Sequence, residues 1–305
     1  MASSKKSIYS ALIANLLIAV TKFTAGAFSN SAAMISEGIH SLVDTVNQIL
    51  LLYGIKRSKK PADKLRPFGY GKEIYFYSFI VSILIFGLGG GISIYQGITH
   101  IARPEPLGDP TWNYVVLALS VIFEGASLVI ATKEFSKTRG KYSWWTAIVK
   151  SKDPSNFLVL FEDGAAVIGL FIVMICMYLG HLLEIPELDG IASLLVGLLL
   201  VGVSMILARE SRSLLMGEGI SEDSRQKITG ITEKDPAVLK VISIISNYQS
   251  PEEVILILIV AFKDDLDTNE INDSIDNIRM AIKKEFRLIR FVIIQPEVIE
   301  HDDIF

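Results

Sequence analysis

IASLLVGLLLVGVSMILA, residues Ile191–Ala208, runs for eighteen residues without a charge. A bilayer-spanning helix needs about 20 mostly apolar residues, so this stretch reads as a transmembrane helix. Working outward, the same test picks out Asn156–Leu179, Trp112–Ala131, Ile74–Ile101, Ala32–Ile55 and Ser7–Phe28. That makes six spans within residues 1–215 of a 305-residue chain. Bulk composition agrees: half the residues are hydrophobic, a fifth are charged and mean hydropathy is +0.44, apolar for a soluble protein. The polar, basic start Met1–Lys6 leads into a run too long for a signal-peptide core and without a clear cleavage site, so the first span is expected to be retained. Lys22, toward the end of that span, is expected to snorkel to the interface.

Basic residues set the orientation. Stretch 56–72 carries seven Lys and Arg and stretch 133–152 carries six, against none in 29–31 and 180–190 and only Arg103 in 102–111. By the positive-inside rule this asymmetry puts both termini in the cytoplasm. Net charge is only −4 and no basic face stands out, which excludes nucleic acid as the main partner. Tyr142, Trp144 and Trp145 among lysines suit a segment at the membrane interface. Cys176 is the lone cysteine, so an internal disulfide and a Cys-x-x-Cys metal site are both excluded, and it reads as a small core residue. Gly87, Gly89, Gly90 and Gly91 lack a following Lys-Ser/Thr and lie inside a span, where small residues allow close helix packing rather than phosphate binding.

From Gly217 the pattern changes. Ser221–Lys234 reads as a capped helix, Ala237–Ser246 and Val254–Phe262 as strands joined by a turn over Asn247–Glu253, Asp267–Phe286 as an amphipathic helix and Leu288–Val298 as a strand. The order α-β-β-α-β over residues 216–305 fits a small α+β, ferredoxin-like cytoplasmic domain with helices on one face of a sheet. Val254–Phe262 is apolar at consecutive positions, so both of its faces are expected to be covered, the second by a partner subunit.

Chemistry concentrates in the second span. Glu37, His40, Asp44 and Asn47 follow one another at three, four and three residues, which lines them up along one helical stripe. An ionisable group at bilayer depth costs about 2.5–3.5 kcal/mol on insertion scales, so such groups face a cavity or a partner. Glu162 and Asp163 in the fifth span and Glu124 in the fourth add carboxylates at similar depth. One imidazole with several carboxylates suits Zn²⁺, Co²⁺, Ni²⁺, Mn²⁺ or Fe²⁺ better than Ca²⁺ or Mg²⁺, and the absence of thiolates argues against Cu⁺. Glu162 lies about 100° around the helix from Asp163, which leaves it free to bond a neighbouring helix. For Glu124 the rival role is a buried polar contact. Glu37, a turn nearer the outer face, is placed at the entrance.

Taken together, the six spans, Ser36-Glu37-Gly38-Ile39-His40-Ser41-Leu42-Val43-Asp44, the loop Phe68-Gly69-Tyr70-Gly71-Lys72-Glu73, the acidic fifth span and the α-β-β-α-β tail resemble the cation diffusion facilitator family. Phe161-Glu162-Asp163-Gly164-Ala165-Ala166-Val167 and Glu124-Gly125-Ala126 look like its zinc transporter nine branch. The resemblance implies metal efflux by proton-coupled antiport, with alternating access in a homodimer and no resident cofactor. Carried over, His40 and Asp44 supply half of a tetrahedral transport site and Asp163 the last position of the other half. Where the family carries a ligating His, this chain has Val159, so Glu162 or Glu124 is expected to replace it. Arg66 and Tyr70 stand where some members place extra metal-binding histidines, and His301, Asp302 and Asp303 read as a solvated tail. The rival readings are an intramembrane metalloenzyme, which lacks H-E-x-x-H, and a non-transporting metal sensor or scaffold. The expected location is the plasma membrane of a prokaryote.

Overall fold

A computed structural model describes residues 2–104, 109–140 and 142–298, apart from the side chains of 2–11, 13, 14, 138, 149, 150, 155 and 156. Two compact units emerge: residues 1–57 with 73–212, and residues 58–72 with 213–305. Each is described in turn.

The first unit is helical. Its elements are α1 (Ala2–Ser29), α2 (Ala32–Ser58), α3 (Glu73–Leu84) running through a π-helical stretch Ile85–Gly91 into α4 (Ile92–Ala102), α5 (Thr111–Arg139), the short α6 (Trp144–Lys150), α7 (Pro154–Leu183) and α8 (Glu187–Met216). Among the described residues, four helices are long and apolar enough to cross a membrane: Glu73–Ala102, Thr111–Lys137, Phe157–Leu183 and Glu187–Met216. The polar stripe of α2 keeps that helix below the same mark, although its length suffices. Asn30, in the left-handed region at φ 51°, turns α1 into α2.

The glycines of the third long helix explain its packing. A Cβ on Gly97 would fall 2.6 Å from the backbone nitrogen of Leu194 and 2.8 Å from the carbonyl of Gly190, and one on Gly197 would fall 3.0 Å from the carbonyl of Gly90. Gly90 and Gly97 on one side therefore lie backbone to backbone against Gly190 and Gly197 of α8, the close contact that small residues allow inside a membrane. Of the glycine cluster read from the sequence, Gly90 and, less tightly, Gly89 meet α8, whereas Gly87 has nothing within 4 Å and Gly91 meets only its own helix.

The second unit holds α9 (Glu222–Thr232), β1 (Val238–Ser250), β2 (Glu253–Phe262), α10 (Thr268–Glu285) and β3 (Ile289–Pro296), the expected α-β-β-α-β order. Ser221 caps α9 through Ser224 N–H, and Asp267 with Glu270 forms a capping box on α10. Strand β2 is central, antiparallel to β1 and parallel to β3. Val254, Leu256, Leu258 and Val260 point to the face covered by Ile228 of α9 and Ile278 and Ile282 of α10. On the opposite face, Ile245, Ile257 and Ile293 form one row across the sheet, with Ile245 53% and Ile293 47% exposed. Within one chain the second face of β2 is therefore only partly covered, and Phe68 packs edge-on against Phe291 at its border.

The turn is shorter than the expected Asn247–Glu253. Strand β1 runs on through Asn247 and Tyr248, which pair with Ile255 and Val254, and only Pro251 and Glu252 separate the strands. Tyr248 N–H donates to the Glu218 carbonyl (3.0 Å) and Ser246 accepts from Ile220 N–H (3.0 Å), so the segment after Gly217 holds this extension in place.

In the 58–72 segment Asp63 organises the backbone, accepting from Leu65 N–H (3.0 Å), Arg66 N–H (2.9 Å) and the Tyr70 hydroxyl (2.6 Å). Arg66 lies over the Tyr70 ring at 4.4 Å, so the residues found in place of extra metal-binding histidines make a cation–π contact. The Tyr70 hydrogen bond, followed by the Arg66 amide, holds the Asp63 carboxyl down at about 2. A depressed carboxyl contributes order above its ordinary value of 3.8, and that contribution is lost as pH falls toward 2. Tyr70→Phe is expected to raise the Asp63 midpoint toward the ordinary value in a carboxyl-detected NMR titration. An unmoved midpoint would show that the phenol is not the cause.

Candidate functional site

Four carboxylates from three helices meet at one cavity of about 200 Å³ in the helical unit. Asp44 comes from α2, Glu124 from α5, and Glu162 and Asp163 from α7. Asn15, Gln48 and Ser127 add neutral polar groups, while Phe123 and Val159 supply apolar wall. The helical spacing places these side chains: Gln48 follows Asp44 by four residues, and Asp163 follows Val159 by four, so each pair shares a face. Val159 thus lines the cavity at the position where a donor was missed, and it offers none.

The carboxylates are held by neutral partners. Ser127 donates to Asp163 Oδ2 (2.6 Å) and Asn47 Nδ2 donates to Glu162 Oε1 (2.6 Å). Glu162 therefore does both things considered for it, bonding a neighbouring helix while lining the cavity. His40 is buried one turn above Asp44, with Nδ1 3.6 Å from Asp44 Oδ1, and does not itself line the cavity. Its Nε2, together with Asp44 Oδ1, Asn47 Oδ1 and Glu37 Oε1, is buried without a hydrogen-bond partner. Unpartnered buried polar atoms are costly, and four of them on one helix face mark α2 as the element with unused binding capacity.

Among the described residues, no three His, Cys, Asp or Glu side chains stand close enough to hold a metal ion as they are placed. The geometry brings Asp44, Glu124, Glu162 and Asp163, but not His40, to one cavity wall without assembling a finished shell. His301, Asp302 and Asp303 lie outside the described residues.

Lys22 is the main correction. It does not snorkel: its side chain is fully buried, and Nζ donates to Glu37 Oε2 (2.9 Å) and to Ser41 Oγ (2.9 Å). The cause is how tightly α1 and α2 approach. A Cβ on Gly38 would sit 2.9 Å from the Phe23 ring, and one on Gly26 would sit 2.9 Å from Ile35, so the Lys22 stem, next to Phe23, runs against α2 and its ammonium ends on Glu37 and Ser41. Glu37 is accordingly half of an internal ion pair, with Oε1 facing Gly169 of α7. Ser127, Asn15, Gln48 and Ser41 are not singled out by the sequence, because neutral polar residues are common in spans and mark a site only once neighbouring helices bring carboxylates beside them.

Residues 8–216 match the family described as the cation efflux transmembrane domain. The mitochondrial proton-coupled zinc antiporter SLC30A9 of Xenopus laevis is 41% identical over 219 residues, covering 71% of this chain and 39% of that protein. The chain thus spans about two fifths of the length of such relatives. The manganese efflux system protein MneP of Bacillus subtilis is 28% identical over 292 residues, 95% of each chain. Among solved structures, a cadmium form of the MamM C-terminal domain covers 26% of this chain and 98% of its own at 18% identity, with a TM-score of 0.24, too slight a likeness to argue from.

Proposed function

We propose that this chain, which belongs to the cation diffusion facilitator family, carries a divalent metal ion across the membrane in exchange for protons. The observation that carries this reading is the cavity ringed by Asp44, Glu124, Glu162 and Asp163. Carboxylates gathered at bilayer depth need a cation or protons to offset their charge. Metal binding requires them deprotonated and the imidazole neutral, so metal and protons compete for the same atoms and each displaces the other. Alternation of the cavity between the two sides then turns that competition into exchange.

His40, Asp44 and Asp163 are proposed as ligands, with Glu162 or Glu124 filling the place of Val159. Zn²⁺ is the proposed cargo, with Mn²⁺, Co²⁺, Fe²⁺ and Ni²⁺ as alternatives that an extra carboxylate in place of imidazole favours. Supporting zinc, the SLC30A9 relatives are named zinc antiporters; supporting manganese, the Bacillus relative is named for manganese efflux. Long helices α1 and α2 are proposed to complete six spans, with both termini cytoplasmic on the thirteen-to-one count of basic residues. The proposed setting is the plasma membrane of a prokaryote, and the match along 95% of the Bacillus efflux protein supports it. A second copy of the chain is proposed as the partner, supported by the open apolar row Ile245, Ile257 and Ile293.

Metal-driven proton flux in liposomes tests the reading. The parent protein is expected to move protons only when metal is supplied, which a sensor, scaffold or enzyme would not do. Glu162→Gln or Glu124→Gln is expected to impair flux nearly as much as Asp163→Asn, and Val159→His to sharpen the preference for zinc across a metal series. Parental flux in both Gln variants would mean that neither carboxylate stands in for the missing histidine.

A further inference from the structure

At the end of the helical unit where α2 and α8 begin and α4 finishes lies a further acid–base pair, His100 and Asp189, apart from the residues that line the carboxylate cavity. Asp189, in the first turn of α8, reaches the start of α2 and accepts from Ser31 Oγ (2.5 Å) and Ala33 N–H (3.2 Å). Ser31 and Ala33 thus set two donors from the start of α2 against a buried carboxyl. His100, in the last turn of α4, stands beside it, with Nε2 3.2 Å from the Asn30 carbonyl and Nδ1 3.9 Å from Asp189 Oδ2. Nδ1 is buried and has no hydrogen-bond partner.

This arrangement restricts the state of the imidazole. A carbonyl only accepts, so the Nε2 contact requires a hydrogen on Nε2. A neutral ring then turns the Nδ1 lone pair toward a carboxylate, setting acceptor against acceptor. Only the imidazolium offers N–H on both sides, to the Asn30 carbonyl and to Asp189. The Cys176 thiol of α7 is a further titratable group near Asp189, whose hydrogen bonds come from the neutral donors Ser31 and Ala33.

We propose that His100 and Asp189 form a proton-binding site whose occupancy ties the end of α4 to the starts of α2 and α8. The charged ring closes the 3.9 Å separation into a charge-assisted hydrogen bond. Protonation therefore favours the arrangement in which these three helix ends are joined, and loss of the proton releases them. The assignment rests on the transport reading only for its consequence, that acid on this side of the membrane holds this end of the pathway shut.

Hydrogen exchange on the full chain in detergent micelles tests the site. Amides 32–36 would be compared across a pH series from acid to alkaline, after correction for intrinsic exchange. The parent is expected to gain roughly tenfold protection in acid. His100→Gln keeps an N–H for Asn30 but cannot charge, and its protection is expected to be flat with pH. A parent without the acid gain, or a Gln variant that keeps it, overturns the proposal. Asp189→Asn provides an independent check by histidine-detected NMR, since a His100 midpoint unmoved by that change also overturns it. Neither measurement needs transport, so absent metal flux in liposomes would count against the transport reading alone.

Discussion

Lys22→Met is expected to lower the stability of the helical unit by about 3–5 kcal/mol, the usual cost of removing one member of a buried ion pair. Met matches the Lys stem in length, so packing survives while the ammonium is lost. Glu37 is then left fully buried, without the donor that now lies 2.9 Å from Oε2. Removing both charges should undo most of the damage, because well-packed apolar residues replace buried pairs at little cost. Lys22→Met with Glu37→Leu is therefore expected to recover to within about 1 kcal/mol of the parent, short of the contact Ser41 loses. Unfolding of the purified protein in detergent would check this. A single variant as stable as the parent, or a double variant no better than the single, would show that the pair does not hold α1 to α2.

Asp44→Asn and Asp163→Asn should each weaken metal binding tenfold or more, at least about 1.4 kcal/mol, and stop transport. Asp44 Oδ1 is buried and unpartnered, so it is free to coordinate without breaking an existing bond. The carboxamide keeps the shape but removes a negative charge that offsets the ion. At Asp163 the amide oxygen can still accept the Ser127 hydrogen bond, so a loss there reports charge rather than local collapse. Calorimetric titration of both variants with Zn²⁺ and Mn²⁺ decides the matter. Unchanged affinity in both would place the transported ion elsewhere.

What was legible in the sequence follows from periodicity. Glu37, His40, Asp44 and Asn47 could be placed on one face because a helix repeats every 3.6 residues, and the capped helices and β-branched strands of the tail announced themselves by local chemistry. Contacts set by distant neighbours could not be read. Lys22 has the sequence signature of a snorkelling lysine, and only the close approach of α1 and α2 around Gly26 and Gly38 turns it inward. Ser127 reads as an ordinary polar residue until α5 lies beside Asp163. The π-helical stretch Ile85–Gly91 has no periodic marker, and the true end of β1 depends on the strand-to-tail bonds at Ser246 and Tyr248.

The glycine contact between the third long helix and α8 has a mechanical corollary. With Gly90 and Gly97 seated on Gly190 and Gly197, each backbone lies against the other, with Ile94, Ile101 and Val201 packed directly over the bare glycines. Sliding one rod along the other would drive carbonyl oxygens into neighbouring side chains such as Ile94, Leu194 and Val201, whereas moving both together disturbs nothing between them. The two helices therefore behave as a single beam. Relative movement of helices is therefore expected at the other seams of the unit.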